Sequence, residues 1–242
     1  MKKAKAELLN SRHGVTGFRF FRQKTFRTTY LPQINADLCS ALVGSWAKTL
    51  SDQQDWFESA ANPDEAFINE IKSLFIKSVY VSPEALASAE TLTNMDKALL
   101  VKKYGAAEPG TITELMDQHG VKDLVQLDLS LLLNRKLMGL EHFTLPDEAF
   151  WQSINGHAPK ATLAILRIYY VSKPRSTTKL PSAGHRVAIH FSAAGSIRFF
   201  DPNLGQVDFA KSATWQTWVK DYWQKAGYAS KAGLNTHLYW FG

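Results

Sequence analysis

The chain has 242 residues, 45% of them hydrophobic and 21% charged, with a formal net charge of +6. That length and apolar content suit one large domain or two small lobes with a real core. No run approaches the roughly 18 apolar residues of a membrane span, and the start, MKKAKAELLNSRHG, has no apolar segment long enough for a cleavable secretory signal.

The excess charge sits at the front. Through residue 30, Lys2, Lys3, Lys5, Arg12, Arg19, Arg22, Lys24 and Arg27 face only Glu7, with Phe18, Phe20, Phe21 and Phe26 interleaved. Residues 1–30 read as a basic, flexible leader with anionic membrane as its contact. Basic and aromatic residues so mixed also suit stacking on RNA, but no nucleic acid is expected as a partner.

After the leader, LPQINADLCSALVGSWAKTLS switches from loop chemistry to helix periodicity, with Leu42, Val43, Trp46 and Leu50 on one face. Asn35 and Asp37 are both plausible caps, which places Cys39 in the first turn. From NPDEAFINEIKSLFIKSVY to about residue 141 the pattern stays helical, punctuated by Pro63, Pro83 and Gly105–Pro109. Beyond Pro146 the character changes. ATLAILRIYYV (161–171), HRVAIHFS (185–192), SIRFFD (196–201) and THLYWF (236–241) are short, β-branched or aromatic, and strand-like. Between the last two, Trp215, Trp218 and Tyr222 form one face of a short helix ending at Gly227. The layout is α+β: a helical part over about 36–141 and an antiparallel sheet over about 146–242, together one domain from residue 31 onward. A ligand site is expected in the cleft between the two parts.

One cysteine, Cys39, excludes an internal disulfide and a multi-cysteine metal site. His13, His119, His142, His157 and His237 show no ligand spacing and read as surface or packing residues, so neither metal nor cofactor is implied. His185 and Asp201 differ. They lie symmetrically about Ala193 in the turn SAAG, and a loop centred there makes them cross-strand partners with Cβ atoms roughly 4.5–5.5 Å apart. His190, in the same strand, is the bland competitor. A thiol is nucleophilic as the thiolate, which a helix N-terminus and an imidazolium both favour. Cys39 would attack a carbonyl, His185 would form the ion pair and protonate the leaving amine, and Asp201 would set the tautomer. The oxyanion needs donors: the Cys39 N–H is one, the Gln33 amide another, and Asn35 its rival. Loop and capping chemistry serves equally well for Gln33 and Asn35.

LCSALVGSWAKTL followed downstream by GHRVAIHFSAAGSIRFFDPNLGQVDF resembles the YopT/AvrPphB-type cysteine proteases, papain-like effectors of pathogenic and symbiotic bacteria. The resemblance rests on Cys39 with Ser40-Ala41-Leu42 and Trp46 behind it, on Gly184-His185, and on FFDPNLG with Phe209 beyond. It implies a papain-like fold, a Cys39–His185–Asp201 triad, an oxyanion role for Gln33, and no cofactor. It further implies delivery by a bacterial secretion machine into the cytoplasm of a host cell, at a membrane or free. The implied substrate is a specific host protein; known members cut lipid-modified small GTPases or protein kinases. Two positions depart from the family pattern: Asp37 stands where glycine is usual, and Arg186 where a small residue is. The same triad also supports amide deamidation, acyl transfer or peptidoglycan hydrolysis. A non-catalytic basic binding module is the reading that uses the leader alone.

Overall fold

In the computed structural model, described at residues 2–52, 54–79, 93–105, 109–119, 121, 124–144, 147–156, 162–171, 182–231 and 234–242, the chain forms two compact units. One comprises Met1–Cys39 and Met138–Gly242, the other Ser40–Leu137. Pro83 and Pro146, expected as breaks between elements, lie outside the described residues.

The chain runs α1 (Lys3–His13), β1 (Gly17–Phe20), α2 (Gln23–Tyr30), then α3 (Cys39–Asp52), α4 (Trp56–Ala61), α5 (Glu65–Ser78), α6 (Asn94–Tyr104), α7 (Pro109–Gln118) and α8 (Leu124–Leu133). It continues through β2 (Leu137–Phe143), α9 (Glu148–Gly156), β3 (Leu163–Val171), β4 (Ser182–Phe191), β5 (Ile197–Asp201), β6 (Gly205–Phe209), α10 (Ser212–Lys225) and β7 (Asn235–Phe241). The strands form one sheet in the order β1-β6-β5-β4-β3-β7-β2. Neighbours from β1 through β7 in that order pair antiparallel.

Period-2 alternation sends Ala164, Leu166 and Ile168 of β3, Val187 and Ile189 of β4, and Phe199 of β5 into one buried cluster. Against it lies α10, whose Trp215, Trp218, Val219, Tyr222 and Trp223 recur at helical spacing and are all buried. Ring centroids of Phe199 and Phe209 stand 5.3 and 5.1 Å from Trp218. Each such buried side chain contributes about 1.5–3 kcal/mol relative to exposure. This is the core that carries the site.

The first thirty residues differ from the flexible leader expected of them. Ala6 and Leu9 of α1 are buried in the same cluster, and Trp218 Nε1 donates to Asn10 Oδ1 at 2.8 Å. Lys5 Nζ donates to the Lys225 carbonyl, and His13 Nε2 meets Asp221 at 3.0 Å. β1 pairs with β6 from Gly17↔Asp208 to Phe20↔Gly205. The charges stay in solvent while the few apolar residues between them dock.

In the second unit α4 and α5 are capped by Asp55 and Asp64, which accept from Phe57 N and Phe67 N. Lys103 is buried and paired with Asp128 at 2.6 Å. The helical pattern expected to reach about residue 141 stops earlier. α8 ends at Leu133, Asn134 adopts φ 51, and β2 begins at Leu137.

One glycine is fixed by geometry. Gly205 has φ +105, and a Cβ there would lie 1.9 Å from the Arg19 carbonyl oxygen and 2.7 Å from Phe21 N. Gly205→Ala should therefore lose at least about 1–3 kcal/mol of stability, read as a lower urea midpoint, because it strains φ and pushes β1 off β6.

Candidate active site

Asp201 ends β5 and opens the turn Asp201-Pro202-Asn203-Leu204, closed by Leu204 N donating to Asp201 O at 2.8 Å. Proline suits the second position of such a turn, and aspartate the first. The side chain folds over its own turn, so Asn203 N donates to Asp201 Oδ1 at 2.7 Å. His185 Nε2 donates to the same oxygen at 2.8 Å, and the Tyr222 hydroxyl donates to Oδ2. Burial opposes the charge on Asp201. The neighbouring His185 charge, its hydrogen bond, and those from Tyr222 and Asn203 outweigh it, and the carboxyl stays below its ordinary pKa.

His185 lies on β4, but not directly opposite Asp201. The hairpin pairs Phe191↔Ile197 and Ala188↔Phe200, so its turn centres on Ala194 rather than Ala193. Ser192 N donates to Ser196 O, and Ser196 belongs to the loop rather than the strand. Continuing that register puts Asp201 beside Val187, on the same face as His185 but diagonal to it. Diagonal neighbours are roughly 7–8 Å apart at the backbone, within reach of an imidazole and a carboxylate together. The Tyr228 ring stacks on the imidazole at 6.1 Å and 20°. Burial pulls His185 toward the neutral form; the Asp201 charge and hydrogen bond, then Cys39, overcome this and raise its pKa to about 10.

Cys39 is the first residue of α3, as its sequence context suggests, and is 6% exposed. With Nε2 committed to Asp201, Nδ1 is left for the thiol, and a side-chain hydrogen bond joins Cys39 to His185. Burial pushes the thiol pKa up. The His185 hydrogen bond and charge, the Arg186 charge and a bond from the Arg186 backbone pull it down, and the net is a lowered pKa. The helix N-terminus acts in the same direction. Both shifts favour a thiolate beside an imidazolium.

Cys39, His185 and Asp201 all belong to the first unit, as does the neighbouring pocket of about 260 Å³. Its wall includes His185, Tyr228, Gln23 and Asp37. Gln33 and Asn35 are exposed and do not line it. Gln23, which nothing in the sequence singled out, does. Its Oε1 accepts from Leu38 N at 3.1 Å, and its Nε2 donates to Asn203 Oδ1 at 3.1 Å, leaving a second amide hydrogen. It links the residue before the thiol to the turn that holds Asp201. Asp37, expected as a cap, is two residues before α3 and exposed on the pocket wall.

Three other histidines have partners elsewhere. His13 meets Asp221, His142 meets Asn235 Oδ1 at 2.6 Å, and His237 meets Tyr239 at 3.2 Å. His157 lies outside the described residues.

Residues 170–241 match the Peptidase_C58 family, described as Yersinia/Haemophilus virulence surface antigen. The matched stretch contains His185 and Asp201; Cys39 lies outside it. The Pseudomonas avirulence protein AvrPphB is similar in structure, with a TM-score of 0.50 at 13% identity over 85% of this chain and 91% of that one. Also similar are PatoxP, a cysteine protease-like domain of the Photorhabdus asymbiotica toxin PaTox (TM-score 0.41, 12% identity, 98% of this chain and 58% of that one), and the YopT domain of the Pasteurella multocida PfhB2 toxin (0.24, 15%, 91% and 91%). Comparison with curated protein sequences gives no match. The fold is the papain-like fold of AvrPphB.

Two measurements check the site. Iodoacetamide should alkylate Cys39 at pH 6 about tenfold or more faster than free cysteine, because a free thiol is then well under about 1% ionised. His185→Ala removes the two largest influences that lower the thiol pKa, leaves only Arg186 and the helix N-terminus against burial, and should abolish the fast reaction at pH 6. Tyr222→Phe leaves Asp201 Oδ2 buried without that donor, and should cost about 1–3 kcal/mol in urea denaturation while raising the pH at which the fast alkylation fails on acidification.

Proposed function

We propose that this chain is a cysteine endopeptidase that cleaves a protein of a host cell after delivery there by a bacterial secretion machine. The observation that carries the reading is the buried, hydrogen-bonded line from Cys39 through His185 to Asp201. Support for its setting comes from the matched family, described by virulence, and from the avirulence protein whose fold it shares. Among the described residues no helix is long and apolar enough to cross a membrane.

Cys39 Sγ adds to the carbonyl carbon of the scissile peptide, and the electron pair moves to oxygen. Two donors lie near the nucleophile for that oxyanion: the Cys39 N–H at the start of α3, and the second amide hydrogen of Gln23. Collapse breaks the C–N bond as His185 passes its Nδ1 proton to the departing amine. The now neutral imidazole takes a proton from water, which attacks the thioester and returns the thiol. Asp201 keeps the Nε2–H in place throughout and stabilises the ring each time it is charged.

New protein N-termini in host lysate should appear with the wild type and be missing with Cys39→Ala. A mass shift without chain cleavage would instead identify a deamidase or acyltransferase using the same residues. Gln23→Ala should lower kcat by about 10²–10³ with little change in KM, the effect of losing one oxyanion donor. Cys39 alkylation, which forms no oxyanion, should stay within a few-fold of wild type. If alkylation collapses as well, Gln23 is a structural brace only.

A further inference from the structure

The pocket beside His185 has a charge that the catalytic cycle does not use. Arg22, Lys24 and Arg27, all at or on α2, line it, and among its described lining residues Asp37 is the one acid. Arg27 is held in place: its Nη1 donates to the Ile34 and Ala36 carbonyls at 3.3 and 3.4 Å. Arg22 and Lys24 are exposed, and among the described residues neither is paired with Asp37 or with any other carboxylate. Their placement is costly to the free protein. Arg22 is the residue preceding α2 and Lys24 lies in its first turn, where no acid offsets them and the helix dipole is itself positive. An anion bound there would relieve all of these at once. A concave wall of one sign also concentrates the field on whatever enters it.

We infer that this pocket is a specificity subsite for acidic side chains, so that the enzyme selects peptide segments carrying Asp or Glu within about three residues of the bond it cuts, a span set by the roughly 3.3 Å rise of an extended chain. This rests on the peptidase reading and specifies its substrate class. The wall that supplies the preference is part of what the sequence presents as a basic leader, and His185 belongs to the same wall.

The test uses the full chain and two arms. In the first, a proteome-derived peptide library is digested and the new termini are sequenced. Asp and Glu should be enriched at one or two positions flanking the cut. Changing that residue to its amide should lower kcat/KM by about tenfold or more, mostly through KM and less so at high salt. In Arg22→Ala/Lys24→Ala the acidic-to-amide ratio should fall toward one, and in Arg22→Glu/Lys24→Glu it should invert toward Lys and Arg. Iodoacetamide alkylation of Cys39 reports whether each variant is folded with its triad intact. The second arm measures binding of fluorescent acidic, neutral and basic peptides to Cys39→Ala by anisotropy. If no peptide is cut, the peptidase reading fails and the binding arm decides the pocket alone. The inference is overturned by cleavage or binding indifferent to acidic residues, by a preference that survives in both double variants, or by Arg22 and Lys24 governing only attachment to anionic lipid vesicles.

Discussion

A single carboxylate, placed in the core and kept ionised there, is the constraint on which the site depends. Removing an ion from water costs several kcal/mol after relaxation, so a buried Asp201 needs compensation from its own surroundings. It receives three donors: an imidazole N–H, a backbone N–H from its own turn, and a tyrosine hydroxyl. The charge so retained is what favours the His185 cation despite burial, and that cation lowers the Cys39 pKa despite burial. Each group would be neutral if it were buried alone. Buried together, each shifts the others toward the charged form.

The supports of that carboxylate come from distant parts of the chain. Tyr222 arrives on α10, held there by the Trp215 and Trp218 stripe that also builds the core. The Asp201 turn is in turn braced by the N-terminal segment. Phe21 N donates to Leu204 O, Gln23 N to Pro202 O, and the Gln23 side chain bridges Asn203 to Leu38. One glutamine thus ties the segment that presents the thiol to the turn that presents the acid. The N-terminal stretch braces the candidate site, and its basic residues line the pocket beside Gln23.

What could be read from the sequence is what local chemistry determines. Asp-Pro-Asn specifies its own turn, the Trp215–Tyr222 spacing specifies its own helix face, and Cys39 follows loop residues at the start of a helical period. Each is settled within a few residues. The cross-strand register was shifted by two because Ser196 closes the loop with Ser192 instead of entering β5, a choice made by one pair of hydrogen bonds. Gln23 was invisible and Gln33 prominent for a similar reason. Distance along the chain from Cys39 favoured the nearer amide, while the fold brings in the one that lies sixteen residues upstream. The packing of α1 has no local signal, since it carries no marked apolar stripe and its buried apolar side chains are only Ala6 and Leu9.

The two positions that depart from the family pattern acquire a common electrostatic sense. Arg186 follows His185 on β4, so its side chain leaves by the opposite face while its backbone and its charge both favour the thiolate. Asp37 stands two residues before α3, exposed on the pocket wall with Arg22, Lys24 and Arg27. A carboxylate there is outnumbered by cations in the same pocket, which limits the potential it can impose on the sulfur at ordinary ionic strength. A thiolate and an acidic substrate side chain ask the same thing of their surroundings, an excess of positive charge. One arrangement of basic groups around α2 and β4 can meet both demands, activating the nucleophile from one side and selecting what it meets from the other.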